Sequence, residues 1–363
     1  MIALVALRLT IGWHFFYEGC WKVDNADEFS ALPFLTLSKG PFAPIFYAMA
    51  PDLDGEQRLK TAEKEITFYV PDKVRVDVKK PGDEGFTGTV PAVVTSNEIV
   101  EKKETLTVYP AYYDSVERVY QKSLARFKPE GEQLKAFQLA WGKYVSSSTA
   151  DLKADAVDVA EYLSGLARFR QDQADRNDGP EQKKRQWALM MKMRQEAKGL
   201  LQGQEDAANA FCDEVYSLLT DEQKKADSMP KFIVATDLLP FGVNLPIIGQ
   251  SWTNFLNFSV TWALTLIGLC LILGFCSRLA AIGGGCFLIA VLMTQPPWPT
   301  LFPAAHPETG HALIVDKNFV EMVAIFMLAT LPVGRWGGLD YFVWNGFGKP
   351  VMTYLGWYVE ENK

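Results

Sequence analysis

Hydrophobic positions are unevenly distributed along this chain. They gather into long runs towards its two ends and thin into helix-like and strand-like periodicities between them. Residues 2–21 read IALVALRLTIGWHFFYEGCW, an apolar helix of membrane length. Between Asp237 and Glu308 the only Asp, Glu, Lys or Arg is Arg278, which divides that stretch into two spans, 257–276 and 279–297. A fourth apolar stretch, 318–334, lies between Lys317 and Arg335 and carries Glu321. The pattern predicts a membrane all-α fold, a four-helix transmembrane bundle, with the first helix covering residues 1–22. That helix reads as a retained span and not a cleaved signal peptide, because no Lys or Arg precedes its apolar core and no small-x-small cleavage site follows.

The segment 23–256 reads as an inserted α+β domain. Residues 33–50 and 238–256 are apolar but broken by Pro and Gly, which marks them as interfacial, with Phe46, Tyr47 and Trp252 at headgroup depth. Residues 65–110 carry β-rich runs, ITFYV, VRVDV and FTGTV, with a PGDEG turn before the third, and predict a small antiparallel module. From 114 to 229 the pattern is helical. Leu152, Ala156, Val159, Leu163 and Leu166 form a coiled-coil-like seam, and breaks at Lys128-Pro129, Asn177–Pro180 and Gly203 predict four or five helices. Trp187, Met190, Met191 and Leu201 read as core.

Charge adds topology. The inserted domain holds most of the charged residues and the whole formal net charge of −7, which argues against nucleic acid as a partner. Arg278, Arg335 and Lys349 place the turn between the second and third helices and the tail 335–363 in the cytoplasm by the positive-inside rule. The expected location is a bacterial inner membrane, multi-pass, N-in and C-in, with 23–256 extracytoplasmic.

Candidate chemistry concentrates in the first helix. An ionised side chain costs about 2.5–3.5 kcal/mol at the centre of a membrane helix, so such groups face a bundle interior or an interface. At 100° per residue Arg8, Glu18 and Lys22 fall within about 80° of arc, with His14 about 40° further round. Gly12 and Gly19 lie near that stripe and admit a close helix neighbour. In the fourth helix Lys317 and Glu321 repeat the four-residue spacing of Glu18 and Lys22 in reverse. If the two helices pack together, Glu18, Lys22, Lys317 and Glu321 form one outer-leaflet cluster. It reads as an ion-pair lock or, with Glu18, Glu321 and His14 as catalytic candidates, as a proton-accepting site beside a quinone headgroup. Arg8, Arg278 and Arg335 read as topology anchors, with Arg8 snorkelling to headgroups or meeting Asp340. His306, Glu308 and His311 are weak candidates for a metal, and no metal is expected. The five cysteines include no C-x-x-C pair; Cys270, Cys276 and Cys286 read as small apolar residues of their helices, and a redox pair of Cys270 with Cys286 is the less favoured, geometrically feasible alternative.

Three segments, RLTIGWHFFYEGCWK (8–22), GFCSRLAA (274–281) and DKNFVEMVAIFMLAT (316–330), resemble the DoxX family of small four-helix membrane proteins. The carrying residues are Arg8, Leu9, Gly12, Phe15 or Phe16, Gly19 and Lys22 in the opening helix, and Gly274 with Arg278 in the turn. The large insertion departs from the compact family pattern. The resemblance implies a polytopic envelope protein, since some relatives form part of a thiosulfate:quinone oxidoreductase and others associate with membrane redox or thiol-stress complexes.

Two functions compete on this reading. One is a non-catalytic membrane subunit or anchor that displays an extracytoplasmic domain to partner proteins. The other is a quinone-linked oxidoreductase subunit, with quinone as the candidate cofactor and no certain cofactor of its own. A small transporter is a third alternative, although no inverted repeat is visible. Whether the chain is an enzyme is left open by its residues.

Overall fold

The computed structural model describes residues 1–79, 89–175, 179–226, 228–296 and 315–355. Along the chain run α1 (Ile2–Asp24), α2 (Leu32–Thr36), α3 (Ala43–Met49), β1 (Ala62–Lys79), β2 (Thr89–Val108), α4 (Pro110–Phe127), α5 (Gly131–Asp175), α6 (Pro180–Ser217) and α7 (Asp221–Ala226). They are followed by α8 (Trp252–Leu273), α9 (Ser277–Thr294), α10 (Lys317–Thr330), α11 (Asp340–Val343) and α12 (Lys349–Tyr354). These elements form two compact units. One comprises Met1–Pro51, Asn177–Ala188 and Leu239–Lys363, and the other Asp52–Arg176 and Leu189–Leu238.

In the first unit α1, α8, α9 and α10 share one apolar core. Ile11, Phe15, Leu264, Leu271, Ala281, Leu288, Ile325 and Leu328 meet in it. The expected four-helix transmembrane bundle is corrected: two helices among the described residues, α8 and α9, are long and apolar enough to cross a membrane. α10 has 14 residues, which at 1.5 Å each span about 21 Å against a hydrocarbon core of about 30 Å. α1 is 23 residues long but carries Arg8, Glu18, Lys22 and Asp24. The expected multi-pass topology with residues 23–256 extracytoplasmic, which needs α1 and α10 to cross as well, therefore loses its support.

Small residues set the spacing in this core. α1 and α8 run antiparallel and nearly touch backbone to backbone. A Cβ at Gly268 would lie 2.2 Å from the Phe16 nitrogen, and one at Gly19 would lie 2.6 Å from the Thr265 nitrogen. Gly12 meets Leu271 and Ile272 in the same way. α8 begins at Ser251, whose side chain accepts from the Asn254 N–H at 3.1 Å, and ends at Gly274 in the left-handed region at φ 62°. α10 is capped by Asp316, which accepts from the Phe319 N–H at 2.7 Å.

The predicted interfacial segments fold into this unit. Phe46, expected at headgroup depth, is buried, and the Lys39 N–H donates to the Thr294 carbonyl at 2.7 Å. The Trp252 indole donates to the Met49 carbonyl at 2.6 Å. Trp187, expected as core, is half-buried with the Lys39 ammonium 4.4 Å above its ring.

In the second unit the predicted trio of short strands is one long antiparallel hairpin, β1 with β2, running from Ala62↔Val108 to Lys79↔Thr89. The register shifts between Pro71 and Lys73, where proline supplies no ladder donor. The PGDEG turn lies outside the described residues. Below the shift Ile66, Phe68 and Val108 join a core with α4, α5 and α6, in which Tyr120 stacks on Trp141 at 5.0 Å. Gly142 admits β1 against α5, since a Cβ there would fall 1.8 Å from the Tyr69 carbonyl oxygen.

The helical part has four helices. The short α7 follows a break after Ser217 that the pattern does not mark. The breaks at 128–129 and 177–180 separate α4, α5 and α6, but α6 runs unbroken through Gly203. One glycine costs a helix only about 1 kcal/mol, less than the flanking core contacts of Leu201 and Ala208 contribute. Of the expected α5 seam, Leu152, Val159 and Leu166 are buried, Leu163 is half-buried against the same core, and Ala156 is exposed while Tyr162 is buried. On α6 Met193, Ala197 and Leu201 face this core, and Met190 and Met191 are only half-buried. An ionic network borders it. Arg170 pairs with Glu56 at 2.5 Å and Asp54 at 3.1 Å, Arg194 with Asp54 at 3.1 Å, and Arg58 with Asp52 and Glu205 at 3.2 Å each.

Candidate functional site

The ionisable residues of the helical core sort into two groups. The first lies where α8 turns into α9. Arg8, only 1% exposed, reaches from α1 to donate to the Val333 carbonyl at 2.9 Å and the Gly337 carbonyl at 3.3 Å. Those carbonyls belong to the segment that follows α10, which Pro332 prevents from continuing as helix. Asp340 completes the arrangement. Its carboxylate accepts from the Cys276 N–H at 2.7 Å, the Ser277 N–H at 3.0 Å and the Ser277 hydroxyl at 2.6 Å. It thereby caps α9 from a distant part of the chain, a role normally taken by the residue before the helix.

The end of α8 is closed in turn. Its Leu273 and Gly274 carbonyls accept from Leu339 and Asp340 at 3.0 and 2.8 Å. Helix ends leave backbone groups unpaired, and here three ends satisfy one another. Glycine makes the approach feasible. A Cβ on Gly338 would lie 2.8 Å from the Gly274 Cα, and one on Gly334 would lie 2.1 Å from the Asp340 carboxylate. The expected meeting of Arg8 with Asp340 is present as an electrostatic interaction, while its hydrogen bonds go to carbonyl oxygens. Arg278 is exposed in the first turn of α9, and Arg335 lies with its guanidinium 3.7 Å from the Trp344 ring centroid.

The second group joins α1 to α10. His14 Nδ1 and Glu321 Oε1 are 2.8 Å apart, with side chains 58% and 17% exposed. Glu18 pairs within its own helix, to Lys22 at 3.0 Å. Lys22 also stands 5.3 Å over the Phe29 ring and lines a cleft of about 230 Å3 with Phe29, Asn257 and Trp262. Lys317 forms no ion pair among the described residues. The four-residue cluster expected from spacing is thus divided: Glu321 is brought to His14, Glu18 to Lys22, and Lys317 to neither.

Other candidates separate from both groups. Cys20, Cys212, Cys270, Cys276 and Cys286 are all free thiols, so Cys270 and Cys286 are not joined. His306, Glu308 and His311 lie outside the described residues. Among the described residues no three His, Cys, Asp or Glu side chains gather as a metal site. Spacing arguments missed Ser277, Gly334, Gly338 and Trp344. Asp340 had a signal of its own, as the lone carboxylate between Glu321 and Glu360, directly after a Gly-Gly pair and Leu339.

Compared with models of known families, with curated proteins and with solved structures, the chain finds no match.

Proposed function

We propose that this chain is a membrane anchor of DoxX-like character that displays its mixed α and β unit, Asp52–Arg176 with Leu189–Leu238, to partner proteins in the cell envelope, without chemistry of its own. The observation that carries this reading is the pair of apolar helices α8 and α9, joined by a turn too short to hold more than Gly274, Phe275 and Cys276. Support also comes from what their polar groups do. Arg8 and Asp340 are consumed in closing helix ends, which is a structural occupation. The ionic network of the other unit likewise ties its own elements together. The full chain should remain in the membrane pellet after alkaline carbonate washing and copurify in mild detergent with a stoichiometric partner. Release by carbonate removes the anchor; an isolated monomer removes the display role.

A second reading has one observation in its favour, the His14–Glu321 contact at 2.8 Å. A histidine and a carboxylate in hydrogen-bond contact form a pair able to pass a proton, as reduction of a quinone requires. Purified protein should then carry quinone in its lipid extract, and Glu321→Gln should abolish quinone reduction. Extracts free of quinone exclude this reading.

A further inference from the structure

Beside the α8–α9 turn is an open cleft of about 280 Å3. Its walls include Arg278, Arg335, Trp344, Ser277 and Asp340. The charges in it do not cancel. Asp340 is engaged by two backbone N–H groups and the Ser277 hydroxyl, and faces the buried Arg8 as well. Neither Arg278 nor Arg335 has a carboxylate partner among the described residues. Trp344 covers one face of the Arg335 guanidinium at 3.7 Å, which holds the group flat and leaves its N–H edge free. Two such edges around one concavity suit a tetrahedral oxyanion, which guanidinium binds through paired hydrogen bonds.

We propose that this cleft binds the phosphate of an anionic phospholipid, with Arg278 and Arg335 as its ligands and Trp344 as the wall that orients Arg335. The site rests on the reading of α8 and α9 as membrane-crossing. A turn between two such helices lies at the level of the headgroups, where basic pockets meet anionic lipid. The exposed Leu279 and Val343 at the mouth of the cleft offer apolar surface beside it for an acyl chain.

The test is native mass spectrometry of the full chain released from bilayers of phosphatidylcholine mixed with phosphatidylglycerol, with carbonate extraction run in parallel. Wild-type protein should retain phosphatidylglycerol severalfold over phosphatidylcholine. Arg278→Gln with Arg335→Gln should abolish that preference while leaving the protein carbonate-resistant. Lys22→Gln, in the other cleft, should leave it intact. Because Arg278 is exposed, Arg278→Gln alone also serves as a variant whose folding is not at risk, and it should weaken the preference by itself. Equal retention of both lipids by wild type, or an undiminished preference in the double variant, overturns the site while the anchor stands. Thermal stabilisation by inorganic phosphate equal to that by phosphatidylglycerol overturns the lipid assignment in favour of a free anion. A carbonate-soluble wild type refutes the membrane reading itself.

Discussion

His14 on α1 and Glu321 on α10 are held Nδ1 to Oε1 at 2.8 Å, which joins two helices 307 residues apart in sequence. His14 is more than half exposed in the isolated chain. An ion pair in water contributes about 0–1 kcal/mol, so His14→Gln or Glu321→Gln should lower the thermal midpoint in detergent only slightly. A loss above about 2 kcal/mol would mean that lipid or a partner shields the pair from water.

Arg8 should matter far more. Arg8→Leu leaves the Val333 and Gly337 carbonyls without their donor and strips Asp340 of its neighbouring charge. Hydrogen bonds from charged donors contribute about 1.5–3 kcal/mol each, so a loss of about 2–4 kcal/mol is expected in thermal unfolding. Arg8→Lys should recover little, because one ammonium lacks the fork that spans two carbonyls.

Glycines in the two units should respond in opposite senses. Gly268→Ala would place a methyl 2.2 Å from the Phe16 backbone nitrogen. The resulting separation of α1 from α8 should cost about 1–3 kcal/mol. Gly165→Ala and Gly199→Ala, in helices with open space around each glycine, should instead stabilise by about 0.5–1 kcal/mol. Thermal unfolding of the three variants checks both signs.

The second unit should be acid-sensitive through Glu56. The hydrogen bond from Arg170 holds the Glu56 carboxyl below its ordinary value, against the opposing effect of burial. A carboxyl depressed on folding adds stability above its unfolded pKa of about 4.3, and that stability is lost as pH falls through the lower folded value. Glu56→Gln should therefore destabilise at neutral pH and flatten this part of the acid limb. Parallel denaturation curves for wild type and variant from pH 7 to pH 3 would contradict it.

Cys212 should be chemically silent in the folded protein. Burial pushes its thiol up to about 11, so little thiolate is present at pH 8. Cys276, exposed in the α8–α9 turn, should react with a hydrophilic maleimide well before Cys212 does. Rapid labelling of Cys212 without denaturant would contradict its packing against the core of the second unit.

The sequence made some of this legible and hid the rest for identifiable reasons. The apolar stretch interrupted only by Arg278 yields α8 and α9, and Gly12 and Gly19 announce a close neighbour. Which helix that neighbour is, and how α10 is rotated against α1, depends on packing between distant segments. Hence Glu321 was matched by spacing to Glu18 and is instead paired with His14. Four of the five seam positions on α5 are packed, but a straight helix drifts about 20° per heptad, and Ala156 is exposed while Tyr162 takes a core place. The Arg8 site was hardest to foresee. Its main acceptors are backbone carbonyls, which every residue has and no side-chain motif marks.

That same choice of acceptors gives the chain an order of assembly. Arg8 and the Val333 carbonyl are 325 positions apart, so the arginine is synthesised well before its acceptor. Until that segment is made, the guanidinium of α1 has no native place to rest, and α9 lacks the carboxylate that closes its first turn. A chain interrupted before Val333 would therefore leave that arginine without its native acceptors in an apolar helix, where a charge is costly. Synthesis of the segment from Val333 to Asp340 thus completes the surroundings of α1 and α9 together.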